Sequence, residues 1–405
     1  MQETLKNIFF VHSAPLNSYK ANTIQTLHTV AALSRQNRGK IFFWGRAGRE
    51  KNWLELVADH HPYFENIVLE GQIVKIPEMT RADRSKFAAF AQRLRLSFLL
   101  ETIYFLTQIY MDIFSKLFEL RREVNWIYTR SHYIILALLP LKIFFKKLSY
   151  AIELHDVPSS RFSKITWDFT LQHCDHIFAV TSFFKDYIPE GLSHAYTVLP
   201  DGVDECYFSE AFNLVGDNKS TVRQFGYFGR LTTYGKDKGI FDLINAFSLL
   251  DPNDEFSVLL IGANTDELRE YGAFVEAKGL HDKIEIIPFM AANEARMIAH
   301  RCDVLLMPHP RNRFFEHFVS PLKLFEYMAL GKVIVNARLP AIEEILPRDK
   351  FSISYEPGNI GQLADVLSKC INNYSELTHL GVCVMREARK YTWDQRAVKI
   401  LNGMI

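Results

Sequence analysis

Residues 320–331 read SPLKLFEYMALG, a helix start suited to holding an anion, with an acidic residue one turn inside it. Ser320 is placed to cap the first backbone amides. Pro321 fits the first helical position, where the amide it lacks has no intrahelical partner, and Gly331 ends the helix. Free amides and the positive end of the helix dipole attract phosphate. Leu322 and Glu326 are four residues apart, so the Glu326 carboxylate lies one turn along the same face, placed to accept hydrogen bonds from a vicinal diol. Phosphate and diol together describe a nucleotide. On these residues alone an ordinary capped helix is the competing reading.

A second constellation follows an apolar run ending at Phe228. The loop GRLTTYGKDKG carries Arg230 and Lys238, a bidentate fork and a point charge suited to a diphosphate at the 320–331 helix start. A solvated basic turn is the alternative. A third is ELHD, where the run SYAIEL ends. His155 is placed to donate to a substrate hydroxyl or to change charge near neutral pH, and Asp156 to fix its tautomer or bind a sugar hydroxyl. His173 and His176, beside an apolar run, read as structural. No dinucleotide fingerprint follows any strand. No Asp-x-Asp pair or His-x3-His spacing indicates a metal, so the expectation is no metal and no cofactor, with the basic residues in the metal's place.

The elements that position these groups alternate along the whole chain. Apolar runs begin at residues 7 (NIFFVH), 40 (KIFFW), 72 (QIVKI), 124 (VNWIYT), 149 (SYAIEL) and 176 (HIFAV), with helical patterns at 23–33 and 81–120. A second series begins at 221 (TVRQFGYFG), 257 (SVLLIG), 283 (KIEII), 303 (DVLLM) and 332 (KVIVNA), with a helix expected at 240–250. This alternation predicts an α/β chain of two doubly wound units, with ligands outside the carboxyl ends of the strands. Residues 203–220 lack periodicity and read as a linker. Residues 377–405 read as helical with no strand after them, and pack back on the first domain.

A length of 405 residues accommodates two or three domains, and 48% hydrophobic residues with 32 Phe supply large cores. A net charge of +1, from 47 basic and 46 acidic residues, excludes a nucleic-acid partner on electrostatic grounds. Five scattered cysteines without CxxC spacing give neither a disulfide framework nor a zinc site and fit a reducing cytoplasm. The apolar run 8–11 is too short for a secretory signal, and 133–145, with Pro140 and Lys142, is too short to span a bilayer. In 134–147, IILALLPLKIFFKK, Lys142, Lys146 and Lys147 stand beside Phe144 and Phe145, with Arg121 and Arg122 upstream. Peripheral contact with the inner face of a membrane is one expectation from this segment; a helix covering the first sheet is the other.

YFGRL…KG, VLPDGVD, HDV after a strand and SPLKLFEYMALGKVIV occur in the order found in glycosyltransferase family 4, which this chain resembles over nearly its whole length, the second half more closely. The resemblance implies the GT-B architecture. Two Rossmann-like domains face each other across a cleft, 1–203 on the acceptor side and 204–385 on the donor side, with a helix in 386–405 returning to the first. It implies a retaining, metal-independent hexosyltransferase that moves a sugar from a nucleotide-diphosphate donor to an acceptor hydroxyl, in glycan, polysaccharide or glycolipid synthesis. It leaves the acceptor unspecified, a lipid-linked or growing glycan being one expectation. Carried over by position, Gly229, Arg230 and Lys238 hold the donor diphosphate. Ser320 and the amides of Leu322 and Lys323 hold the distal phosphate, Glu326 the ribose, and His155 the sugar near its reacting carbon. His155, Arg230 and Lys238 then form the catalytic set. The family's Glu-x7-Glu motif is broken, because Phe318 stands eight residues before Glu326; Glu316 and His317 are the neighbouring candidates for the sugar. The first-strand loop HSAPLNSYKANT also lacks the family's paired glycines. A GT-B epimerase and a non-catalytic nucleotide-sugar-binding subunit remain the alternatives.

Overall fold

Runs of consecutive apolar residues become strands buried on both faces, as parallel sheets require. The computed structural model describes residues 6–16, 21–37, 39–46, 70–74, 96–192, 195–211, 222–233, 235–347 and 350–404. The chain divides into two units, Met1–Leu199 with Trp393–Ile405, and Pro200–Thr392. The unit borders therefore fall at 199/200 and 392/393, not at the expected 203/204 and 385/386. Of the expected helix 81–120, residues 81–95 lie outside the described residues, as do 75–76 of the run QIVKI and 17–20 of the first-strand loop.

Unit 1 contains β1 (Lys6–Pro15), β2 (Ile41–Arg46), β3 (Glu70–Val74), β4 (Val124–Thr129), β5 (Leu148–Leu154), β6 (His176–Ala179) and β7 (Tyr196–Val198). They form one sheet in the order β3-β2-β1-β4-β5-β6-β7, every pair parallel. Its helices are α1 (Ala21–Gln36), α2 (Leu96–Glu119), α3 (His132–Leu138), α4 (Leu141–Phe144) and α5 (Arg161–Gln172). Ile8 to Val11 of β1 are fully buried, and Phe9 stacks on Phe42 with ring centroids 4.8 Å apart.

The C-terminal helix Trp393–Gly403 belongs to this unit and packs on α1. Its anchor is Arg396, whose Nη1 donates to Thr29 Oγ1 at 3.0 Å and whose Nη2 lies 2.8 Å from the Glu153 carboxylate. At its start Arg35 pairs with Asp394 at 2.7 Å, and near its end Lys6 Nζ donates to the Leu401 carbonyl at 3.1 Å. Trp393 stacks on His28, with centroids 5.3 Å apart.

Unit 2 repeats the winding with β8 (Arg223–Phe228), β11 (Phe256–Ala263), β12 (Ile284–Pro288), β13 (Val304–Met307), β14 (Val333–Ala337) and β15 (Ile353–Tyr355), in the order β12-β11-β8-β13-β14-β15. All of these pairs are parallel. A small ribbon of β9 (Thr232–Thr233) and β10 (Lys236–Asp237) follows β8. The helices are α6 (Cys206–Ala211), α7 (Ile240–Phe247), α8 (Thr265–Ala277), α9 (Ala292–Ala299), α10 (Arg313–His317), α11 (Leu322–Leu330), α12 (Pro340–Glu343), α13 (Ile360–Asn372) and α14 (Tyr374–Ala388). The expected linker 203–220 is thus corrected at its start: Val203 bonds to the Tyr391 carbonyl at 2.8 Å and α6 is helical, while 212–220 lie outside the described residues. The returning C-terminal segment is likewise shorter than expected, because α14 packs within unit 2 on α11.

Glu153 is wholly buried and receives Arg396 together with Arg130 Nη2, 2.9 Å away. Burial alone would raise its carboxyl pKa, but Arg130, Arg396 and His155 hold it well below the usual carboxylate range. Replacing Arg396 by Met removes one of two compensating cations. It is expected to destabilise unit 1 by about 3 kcal/mol, the low end for a broken buried pair because Arg130 remains. A group with a depressed folded pKa stabilises above its unfolded value near ~4 and loses that contribution as pH falls through the folded value. Denaturant unfolding should therefore show a wild-type advantage that is constant at neutral pH and shrinks below about pH 4.

Candidate donor-binding site

In unit 2 the winding reverses beside β8, where β8 lies between β11 and β13, and polar groups gather at the carboxyl ends of these strands. Gly229 continues from β8 with φ of 120° and its amide donates to the Ile261 carbonyl at 2.9 Å. The positive φ is what calls for glycine here, and a Cβ at this position would sit in ordinary contact, 3.5 Å, with Lys323 Nζ. The buried Tyr227 phenol donates to the Arg230 carbonyl at 2.9 Å and receives Lys323 Nζ at 2.6 Å.

Past the ribbon, Asp237 pins the turn that carries Lys238. Its carboxylate accepts Gly239 N–H at 2.7 Å, Ile240 N–H at 3.2 Å and Tyr271 O–H at 2.6 Å. Gly239 has φ of 90°, and a Cβ there would fall 1.7 Å from the Pro308 carbonyl oxygen, so only glycine lets α7 start against the end of β13.

Arg230 is exposed, while Lys238 and Lys323 are half-buried. Burial, then the charge of Arg230, lowers Lys238 to about 8 against the pull of Glu267. Burial and then Lys238 push Lys323 well below its ordinary value, with Glu326 opposing. His309, buried just after β13, is held neutral by burial and by both lysines. Among the described residues none of the three cations is within 4.0 Å of a carboxylate. Concentrated cations without counter-charges form an anion site.

Helix α11 has Pro321 as its N-cap with no side-chain cap, and ends at Gly331 in the left-handed region. Ser320 is therefore not the cap the sequence predicted. Its hydroxyl accepts the Asp201 N–H at 2.9 Å instead, because the extended Pro321 turns the preceding residue away from the helix axis. The first intrahelical bond runs from Leu324 N–H to the Pro321 carbonyl at 2.9 Å, so the amides of Leu322 and Lys323 sit in the opening turn. One turn in, Glu326 hydrogen-bonds Tyr207 of α6. Burial raises its pKa while Tyr207, Lys323 and Arg296 counter it.

The sugar-side candidates are scattered over α10 and its end. Glu316 lies 3.4 Å from Arg311 Nε, His317 is half-buried, and Phe318 is 4% exposed beneath Arg313. Unit 2 thus brings together Gly229, Arg230, Lys238 and Lys323, with Leu322 and Glu326 on the same short helix. His155 belongs to unit 1.

There His155 Nε2 hydrogen-bonds Glu153 Oε1, which assigns the proton to Nε2. Glu153, not Asp156, thus orients the imidazole; Asp156 accepts Val157 N–H at 2.8 Å, too local a bond to reach the ring. Tyr128 donates to the other Glu153 oxygen. His12 accompanies this cluster, bonded to Thr26 at 3.1 Å, and burial followed by Arg130 and His155 pushes it down to about 3. Sequence reasoning missed Tyr227, Asp237, His309, Arg130 and Arg396. Arg130, directly after a strand, had a positional signal; Arg396 had none.

Residues 222–373, within unit 2, match the family model described as Glycosyl transferases group 1. Comparison with curated proteins gives no match. Among solved structures, a glycosyltransferase from Rickettsia africae is similar with a TM-score of 0.70 at 16% identity over 98% of both chains. Sucrose-phosphate synthase of Thermosynechococcus elongatus gives 0.69 at 14% identity, again over 98% of both. HepE of Anabaena, solved in complex with UDP and glucose, gives 0.64 at 16% identity over 98% of both. The fold is the GT-B fold, as the sequence predicted.

The cationic form of Lys238 is the one that binds an anion, and above about pH 8 the free protein loses that proton. Affinity for a nucleoside diphosphate is therefore expected to hold between pH 7 and 8 and to fall beyond it, approaching tenfold per unit. Titration calorimetry from pH 7.5 to 9.5 checks this; affinity flat to pH 9.5 would contradict the placement of Lys238.

Proposed function

We propose that this chain is a glycosyltransferase that moves a sugar from a nucleotide-diphosphate sugar to an acceptor hydroxyl, with retention of configuration and without a metal ion. The observation that carries the reading is the pair Arg230 and Lys238, with no carboxylate within 4.0 Å among the described residues, in a unit that also carries a helix start with Glu326 one turn inside, within a segment matching Glycosyl transferases group 1. The complex of HepE with UDP and glucose makes UDP-sugars the first donors to test.

The chemistry follows from where charge develops. As the bond from the anomeric carbon to the diphosphate opens, negative charge grows on the leaving oxygen, and fixed cations with helix amides stabilise it without reorganising. The acceptor hydroxyl forms the new bond on the same face and passes its proton to the departing phosphate oxygen, so no protein nucleophile is needed. Glu326 is assigned to the ribose hydroxyls and His155 to the transferred sugar, with Glu153 fixing its tautomer. Among the described residues no three His, Cys, Asp or Glu side chains converge as metal ligands, and in this scheme the cations take that part. Arg230→Ala and Lys238→Ala should each lower turnover about a hundredfold or more with unchanged thermal unfolding, and wild-type turnover should persist in excess chelator. Product analysis in the same assay separates transfer from epimerisation and from binding without turnover. Near-normal rates in both variants would sink the diphosphate assignment.

The acceptor side of the proposal includes contact with an anionic membrane. Ile134, Ile135, Leu138, Leu141 and Phe145 are buried in unit 1, in keeping with the sheet-covering reading for that part of the segment, while Ile143 is 77% exposed and Phe144 lies beside it. On α5, Phe162, Ile165 and Phe169 form an exposed stripe at helical spacing, Phe162 at 70%, with Arg161 and Lys164 exposed beside it. No described helix is long and apolar enough to cross a membrane. Basic residues beside exposed aromatics favour an anionic interface. Flotation with anionic vesicles should show binding that fades at high salt and is reduced in Ile143→Ser/Phe144→Ser; no binding at low salt would remove the membrane from the proposal.

A further inference from the structure

Lys323 occupies a position where a cation is electrostatically out of place. It is the second residue of α11, and no acidic residue accompanies it in the first turn, so its charge opposes the positive end of the helix dipole. Helical side chains lean toward the amino terminus, and this one leans back to the end of β8. There its Nζ rests 2.6 Å from the Tyr227 hydroxyl and 3.8 Å from the centre of that ring. It also lies 3.5 Å from where a side chain on Gly229 would begin. The groups facing it are Tyr227 from β8, Lys238 from the loop after β10, His309 from the end of β13 and Glu326 from its own helix. Of these described groups only Glu326 is acidic, and it is not within 4.0 Å of the amine. The Tyr227 hydroxyl donates onward to the Arg230 carbonyl, so the same phenol holds Lys323 and the backbone of the loop that bears Arg230.

We propose that the Lys323 side chain, beyond the backbone amide of its turn, is a third phosphate-binding cation of the donor site, parked on Tyr227 in the free protein and transferred to the diphosphate beside Gly229 when the donor binds. The inference rests on the nucleotide-sugar reading of unit 2 and adds to it a side-chain ligand. A lysine that merely filled space there would stabilise the free protein. A ligand held among like charges, at the wrong end of a dipole, does so little or not at all, and is compensated only when an anion arrives. Burial and Lys238 disfavour the charged amine in the free protein, in keeping with that cost.

The test measures binding of UDP and inorganic pyrophosphate to the full chain by calorimetry, with uridine as the phosphate-free control, in wild type and Lys323→Met. The expected result is a tenfold or greater loss of affinity for UDP and pyrophosphate, unchanged uridine binding, and a thermal midpoint of the free variant equal to or above wild type. Unchanged affinity for both phosphate probes overturns the proposal. So does an equal loss for UDP and uridine, because that pattern marks a collapsed site rather than a missing phosphate contact. Lys323→Arg, which keeps the charge, should recover part of the pyrophosphate affinity; recovery by Lys323→Gln to the same extent would instead assign the effect to side-chain volume and reject the cationic role. If the wild type binds neither UDP nor pyrophosphate, the nucleotide-sugar reading itself fails, an outcome distinct from a wild type that binds both and a variant that binds them equally well.

Discussion

Both sheets are wound outward in two directions from their first strand, and that single topological constraint decides where polar chemistry can sit. Strands β1 and β8 lie inside their sheets with parallel neighbours on either side. Their faces are covered, and polar groups escape burial only at the carboxyl ends, where the chain leaves the first strand for one side and later returns on the other. In unit 2 that place collects Gly229, Arg230, Lys238, His309 and the start of α11. In unit 1 it collects His12, Arg130, Glu153 and His155.

The two clusters solve opposite electrostatic problems. In unit 1 a wholly buried carboxylate is surrounded by two guanidiniums, an imidazole and a phenol, so its charge is more than balanced and the cluster ties the C-terminal helix to β5. A buried charge is tolerated only with such partners. In unit 2 Arg230, Lys238 and Lys323 have no carboxylate within 4.0 Å among the described residues, and the nearby acids are engaged elsewhere. Asp237 holds backbone amides, Glu267 accepts from Thr232 at 2.6 Å, and Glu326 is bonded to Tyr207. Their positive charge is not neutralised by the described carboxylates. A site that keeps its cations uncompensated binds an anion strongly and stabilises one that gains charge during reaction more strongly still, which is what a departing diphosphate does.

The rigid parts of the site are those the backbone holds. Asp237 fixes the Lys238 turn through two amides, Gly239 packs against the Pro308 carbonyl, and Tyr227 fixes the Arg230 carbonyl. Such bonds hold the charges before a ligand arrives, and this preorganisation is what makes fixed cations effective.

The sequence alone determined the alternation of strands and helices, the reversal of α11 at Gly331, and the loop carrying Arg230 and Lys238. Each is written in residues a few positions apart: apolar runs set by strand burial, a glycine where φ must be positive, cations between a strand and a helix. Tertiary structure decided the rest, because it joins residues that no local pattern relates. Arg396 and Thr29 are 367 residues apart in the chain and 3.0 Å apart in space. Asp156 and Glu153 are both near His155 in sequence, yet only Glu153, facing inward at the end of its strand, can reach the imidazole. Ser320 had the composition of a cap and lost the role to Pro321, since the extended backbone there turns its hydroxyl to Asp201. Lys323 read as a backbone contributor, and its side chain acquired a place only when β8 laid Tyr227 and a glycine beside it. Local periodicity reports which face of an element is buried; which polar groups then meet depends on packing between elements, and that is settled only in three dimensions.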